Sequence, residues 1–150
     1  MKKSLRELCT AIAICFCATG NLFATDNQFN TDHTMDKNLN LIKEWDKVFP
    51  QSDKVSHSKV TFRNRYGITL AADMYKPKHA DGKLPAIAIS GPFGAVKEQS
   101  SGLYAQKLAE RGFLTIAFDP SYTGESGGEP RYVASPDINT EDFCEAVDFL

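Results

Sequence analysis

The sequence has 150 residues, 42% of them hydrophobic and 24% charged, with a formal net charge of −2. This length and balance suit a globular domain with a core of its own, and they exclude a disordered or low-complexity chain. The slightly negative charge excludes the basic signature of a nucleic-acid binder.

The first 24 residues read as a secretory signal peptide. Lys2, Lys3 and Arg6 make a positive start that Glu7 interrupts, an apolar stretch runs from Leu8 to Ala18, and small residues lead to Ala24. The apolar run is too short to span a bilayer, so it predicts cleavage after Ala24 and an exported, periplasmic or secreted protein with no stable membrane anchor. Cleavage removes three cations and one anion, taking the net charge from −2 to −4. Of the four cysteines only Cys144 would remain, so no internal disulfide could form.

Residues 25–54 read as a lead-in with one helix. Leu41, Trp45, Val48 and Phe49 fall at i, i+4, i+7 and i+8, which predicts a helix from about Met35 to Phe49, stopped by Pro50. Trp45 reads as a packing anchor. The period then changes to two. "KVTFRNRYGITLAADMYKP" predicts two strands joined by a tight turn at Asn64-Arg65-Tyr66-Gly67, with the glycine at a positive φ. "LPAIAIS", residues 84–90, is a short apolar run of the kind a strand buried on both faces shows.

After the loop Gly91-Pro92-Phe93-Gly94, a helix is expected from Ser100 or Ser101, either of them its N-cap. It should run to about Arg111, bury Leu103 or Tyr104, Leu108 and the alanines, and stop at Gly112. "FLTIAF", residues 113–118, predicts a second buried strand ending at Asp119. A long loop then leads to a last helix capped by Asn139 or Thr140, with Phe143, Ala146, Val147 and Leu150 on one face. Cys144, early in that helix, reads as an inert thiol beside core residues. The 84–118 unit is a βαβ crossover, so its two strands should be parallel.

Gly124-Glu125-Ser126-Gly127-Gly128 matches the nucleophile-elbow pattern G-x-S-x-G. An elbow needs a strand running straight into it and a helix leaving straight after it. Here Asp119 to Thr123 separate it from the strand, and Gly127-Gly128-Glu129-Pro130 cannot start a helix. His33, His57 and His79 all precede Ser126, the wrong order for this architecture. The stretch is therefore read as a glycine-rich loop at the carboxyl end of a parallel strand.

Ligands of open α/β sheets bind at such ends, and two loops leave them, 91–99 and 119–138. A backbone N–H just past a strand can hold the oxyanion of a tetrahedral intermediate. Pro92 has no N–H. Phe93 has one, although Phe93 also reads as a turn residue with its side chain in the core. The three histidines share no ligand spacing and read as solvated surface residues, so no metal site is expected.

"VTFRNRYGITLAADMYKP", "PAIAISGPFGAVKEQSSGLYAQKLAERGF", "TIAFDPSYTGESGGEPR" and "EDFCEAVDFL" together resemble the α/β-hydrolase superfamily, nearest its bacterial dienelactone-hydrolase and Xaa-Pro-peptidase-like branch. The resemblance covers about residues 55–150. It implies an α/β fold in which these residues form a partial domain, the N-terminal half of a hydrolase sheet: an antiparallel hairpin, then parallel strands with crossover helices. It also implies a parent enzyme that cleaves ester, lactone or peptide-like bonds of a small-molecule substrate, without cofactor or metal. Its nucleophile (serine or cysteine), acid and histidine would all lie beyond residue 150.

On the same resemblance, Phe93 supplies an oxyanion-hole N–H, Gly91, Gly94 and Tyr122 lie on the substrate rim, and Asp119, Gly124 and Ser126 are structural. A further strand of that family pairs with strand 85–90, so "AIAIS" becomes an apolar sheet edge open to a partner or to self-pairing. Two other readings stand beside this one. A truncated, non-catalytic chain could pair that edge with a partner strand. A Rossmann-type dinucleotide-binding oxidoreductase would place Asp119 on a ribose, although Gly91-Pro92-Phe93-Gly94 is not G-x-G-x-x-G.

Overall fold

The computed structural model describes residues 39–150. The signal expected at residues 1–24, and His33, lie outside the described residues. The elements are β1 (Val55–Arg63), β2 (Thr69–Pro77), β3 (Ala86–Ile89), α1 (Ser100–Ala109), β4 (Leu114–Phe118) and α2 (Pro136–Phe149). The strands form one mixed sheet in the order β1-β2-β4-β3. β1 and β2 pair antiparallel from Val55↔Pro77 to Arg63↔Thr69. β4 pairs antiparallel with β2 and parallel with β3. The expected hairpin and parallel crossover are both present, and the hairpin turn is closed by Gly67 N–H to Asn64 O at 2.9 Å with Gly67 at φ +78. Among the described residues no helix is long and apolar enough to cross a membrane.

Alternation along the strands builds two unlike faces. Phe62, Leu70, Ala72, Ile116 and Phe118 point to the side that α2 covers, where Ala146 and Phe149 meet them. Phe149 stacks on Phe62 at 5.3 Å. Val55, Tyr75 and Ala117 point to the other side, against Ala105 and Ala109 of α1 and against Trp45. The register places His57 opposite Tyr75 and Lys59 opposite Asp73, so titratable groups share this second face with Tyr75.

Several expectations need correction. Residues 39–49 carry no helix. The backbone there is held by distant groups instead: Val48 N–H reaches Glu98 O at 3.2 Å, and Ile42 N–H reaches Glu125 Oε1 at 2.7 Å. Trp45 does act as an anchor, since its Nε1–H donates to Phe49 O at 2.8 Å and its ring meets His57 edge-on. Strand β3 is not buried on both faces: it forms a sheet edge, with Ala86 exposed and Ile87 to Ile89 half-buried.

The N-cap of α1 is Gln99 rather than Ser100 or Ser101, because the turn from Val96 O to Gln99 N–H delivers the chain one residue earlier. The buried face of α1 is Ser101, Gly102, Ala105, Gln106 and Ala109, whereas Leu103 and Tyr104 are exposed. A helix lying this close to a sheet buries small residues. A Cβ on Gly102 would come within 2.3 Å of Lys97 O.

Helix α2 starts at Ser135 with Pro136 in its first turn, not at Asn139 or Thr140. Proline suits that position because its missing N–H would have no helical partner. The helix turns Glu141, Asp142 and Ala146 inward and leaves Phe143, Cys144 and Val147 exposed. Phe143 still meets Phe118 edge-on at 4.9 Å. The inward turn follows from Asp142, whose carboxylate accepts from Asn64 Nδ2, Ser121 N and Ser121 Oγ at 2.8, 2.8 and 2.9 Å.

Candidate functional site

Loops 91–99 and 119–134 leave the carboxyl ends of β3 and β4 side by side, because those strands are parallel neighbours. Between them lies a cleft of about 100 Å³. Gly91, Pro92, Phe93, Gly94 and Ala95 line one side, and Pro120, Thr123, Val133, Ala134 and Asn139 complete it. Three of the expected site residues, Gly91, Phe93 and Gly94, thus meet in one place. Gly94 adopts φ +81, and Ala95 N–H closes a turn onto Pro92 O at 2.9 Å. The Phe93 side chain is 82% exposed, so it is no core residue. Its N–H has no acceptor among the described residues.

Tyr122 sits between Pro120 and Thr123 in sequence, but its half-buried ring turns onto Gly128, where a Cβ would lie 2.5 Å from it. Its backbone adopts φ +70 and is held by Tyr122 N–H to Gly127 O at 2.8 Å and Tyr132 N–H to Tyr122 O at 2.9 Å. Arg131 staples the same loop from outside, its guanidinium donating to Ser126 O at 2.5 Å and Gly124 O at 2.7 Å.

Ser126 is not presented to solvent. Its buried Oγ donates to Asp119 O at 2.6 Å and accepts from Ala71 N–H at 2.8 Å. Both hydroxyl functions are used on backbone, which makes Ser126 a tie between loop and sheet, as the sequence geometry indicated.

The bases of the same two loops are joined by a buried charge network that sequence reasoning missed. The Lys97 ammonium, fully enclosed, lies 2.8 Å from Asp119 Oδ2, 2.7 Å from Glu125 Oε2 and 2.5 Å from Glu98 Oε1. Asp119 also accepts Lys97 N–H at 2.8 Å and Glu125 N–H at 3.0 Å. Gly124 allows this: a Cβ there would sit 2.2 Å from Asp119 Oδ2. Lys59 reaches Glu125 at 2.6 Å and Asp46 at 3.2 Å, and Lys47 reaches Asp46 at 2.5 Å and Asp73 at 3.0 Å.

Asp73 is bound in turn by His57 Nε2 at 2.7 Å, so His57 is a half-buried partner rather than a solvated surface residue; His79 is exposed. Asp46, Glu98 and Glu125 bring ligand atoms within 4.8 Å of one another. The Lys59 and Lys97 ammoniums already sit among them, so the cluster is paired with protein cations.

Burial governs the titration of these groups. It pushes Asp73 up, but the His57 contact and the Lys47 ammonium outweigh it and hold the carboxyl below its ordinary value. Burial likewise pushes Glu125 up, and Ile42 N–H, Lys59 and Lys97 together bring it below the usual range. At Glu98 burial wins and the carboxyl lies above the usual range. For Lys97, burial alone would lower the ammonium, and Asp119, Glu125 and Glu98 reverse this and raise it. One sequence signal pointed to the network: Lys97 stands just before the N-terminus of α1, where the helix dipole disfavours a cation.

A mixed sheet of this order, with loops gathered at the carboxyl ends of its parallel strands, defines an α/β-hydrolase fold. The chain belongs to the X-Pro dipeptidyl-peptidase (S15) family, whose model matches residues 66–150, more than half of its length. It is 66% identical over 140 residues to the uncharacterised Pseudomonas aeruginosa protein PA2218, covering 93% of this chain and 37% of that protein. The crystal structure of PA2218 matches with a TM-score of 0.72 at 77% identity, over 74% of this chain and 35% of that one. A thiohydrolase of Aspergillus aculeatus, aneE, is 33% identical over 99 residues, 66% of this chain and 30% of its own length.

The α/β-hydrolase GrgF from Penicillium sp. sh18 matches with a TM-score of 0.58 at 28% identity, covering 63% of this chain and 32% of that one. The chain thus spans about a third of the length of the relatives it matches. These likenesses favour a hydrolase over the dinucleotide-binding oxidoreductase, whose parallel sheet the antiparallel β2–β4 pairing also fails to provide.

Proposed function

We propose that the whole protein is an exported bacterial hydrolase that cleaves ester, lactone or peptide-like bonds of small molecules. Its nucleophile, acid and histidine lie beyond residue 150, and this chain contributes one side of the oxyanion hole. The observation that carries the reading is the exposed Phe93 peptide at the lip of the 91–95/120–134 cleft, at the carboxyl end of a parallel strand in an S15-family chain.

As the nucleophile adds to the substrate carbonyl, the oxygen gains negative charge. The Phe93 N–H donates to that oxygen, and Gly91 and Gly94 let the backbone come close to it. Tyr122 does not line the cleft, and Pro120 and Thr123 on either side of it carry that part of the rim. The A. aculeatus relative is named a thiohydrolase, which is the reason for including a sulfur-linked acyl substrate in the test.

The test is hydrolysis by the whole protein of p-nitrophenyl acetate, an acyl thioester and an X-Pro p-nitroanilide, with fluorophosphonate labelling of the nucleophile. At least one class should be hydrolysed, and the label should map beyond residue 150. Inertness toward all three together with no labelling would overturn the reading. Export predicts that the protein recovered from periplasm or medium begins at Thr25; a mature protein beginning at Met1 would refute that part.

A further inference from the structure

We propose that Lys97 is the positioning residue of the oxyanion loop. Its buried ammonium, shared by Asp119, Glu125 and Glu98, fixes the base of loop 91–99 so that the Phe93 N–H is set before substrate arrives. The inference rests on the reading of Phe93 given above.

The loop's tip has one internal tie, the Ala95 N–H to Pro92 O turn, which does not attach it to the sheet. Phe93 is 82% exposed, and Pro92 and Gly94 are also exposed, so no buried side chain pins residues 92–94. The restraint must come from the base, and Lys97 is attached there at two points. Its main-chain N–H donates to Asp119 Oδ1 and its ammonium to Asp119 Oδ2, both at 2.8 Å. One carboxylate therefore fixes both the peptide and the side-chain direction of residue 97, two residues beyond the Pro92–Ala95 turn.

Three carboxylates surround the ammonium, matching its three donors in number. An ion pair this buried adds little net stability over well-packed apolar side chains. What it supplies is a single geometry, because a lysine in the wrong place would leave two fully enclosed charges, its own and that of Asp119, without an ion-pair partner. Asp119 stands at the end of β4, so the lock ties the loop to the rigid centre of the sheet. Glu125 extends the lock outward through Lys59 and Ile42 N–H to the 42–48 segment.

The experiment uses the whole protein and compares Lys97→Met with Lys47→Met. Both remove a fully enclosed ammonium paired with carboxylates, but Lys47 binds Asp46 and Asp73 and makes no contact with Asp119 or with the main chain of loop 91–99, reaching the Lys97 cluster only through Asp46 and Lys59. Kinetics on a p-nitrophenyl ester are read well below both melting temperatures. A misplaced oxyanion donor should lower kcat by roughly 10- to 100-fold with KM within about twofold, since losing such a donor altogether costs about 100- to 1,000-fold.

Lys47→Met should lose comparable thermal stability and keep its kcat. Asp119→Asn keeps the acceptor for Lys97 N–H while replacing the charge, so it serves if Lys97→Met does not fold. It should show the same split, at about tenfold. Binding of a trifluoromethyl ketone should weaken in step with kcat. Equal kcat loss in Lys47→Met, or an unchanged kcat in Lys97→Met or Asp119→Asn, overturns the inference while leaving the hydrolase reading intact. A wild-type protein inert toward every ester instead fails that reading, and this inference with it.

Discussion

The two faces of the sheet are closed in opposite ways. Under α2, Phe62, Leu70, Ile116 and Phe118 meet Ala146 and Phe149, and the layer is apolar apart from one buried tie, Asp142 to Asn64 and Ser121. On the other face, α1 packs on β4, β2 and β3, and the 42–49 segment, without regular structure, covers Asp73, His57 and Lys59. Apolar packing tolerates rearrangement at fixed volume, whereas buried charges do not tolerate loss of a partner. The network of the charged face reaches both cleft loops, through Lys97 and Glu98 in one and Asp119 and Glu125 in the other.

That contrast can be broken from either side. Phe118→Ala should cost the most, about 3–5 kcal/mol, because it opens a cavity between Phe62 and Phe143. Denaturant melts of the whole protein would read it as a lower midpoint with KM unchanged. Asp73→Asn should cost about 3 kcal/mol by leaving Lys47 underpaired, and the loss should hardly change between low and high salt, because the pair is enclosed.

Acid sharpens the same point. Asp73 and Glu125 are held below their ordinary values of 3.8 and 4.5, so their stabilisation is complete above those values and is lost as pH falls below about 4. Glu98, raised, works in the opposite sense: its contribution is complete below 4.5 and is lost as pH rises through its elevated value. A melting temperature followed from pH 7 to pH 3 should fall on the acid side, and Asp73→Asn should flatten that fall. The smallest effect belongs to the exposed pair Lys107–Glu110 on α1, where Lys107→Ala should change stability by less than about 0.5 kcal/mol.

Local features were legible in the sequence. The period-two pattern and Gly67 fixed the hairpin, the apolar run and crossover gave the parallel pair, and the separation of Ser126 from its strand identified a structural serine. Long-range pairing was not legible. Leu41, Trp45, Val48 and Phe49 have helical spacing, but Asp46 and Lys47 between them are drawn to Lys59 and Asp73, and that tertiary pull defeats the helix. The buried face of α1 follows size rather than hydrophobicity: Ala105 and Ala109 go in against the sheet, Gly102 against the Lys97 main chain and the Phe49 ring, and Leu103 and Tyr104 stay out. Lys97 and Asp119 are 22 residues apart, and although the place of Lys97 before a helix N-terminus calls for an anionic partner, nothing local names Asp119.

The most direct test of the account is the structure of the whole protein with a trifluoromethyl ketone bound to its nucleophile. The account predicts the ketone-derived oxygen at about 2.7–3.1 Å from the Phe93 nitrogen, within hydrogen-bond reach of its N–H. An oxygen beyond about 3.5 Å from that nitrogen, held by other donors, would contradict it.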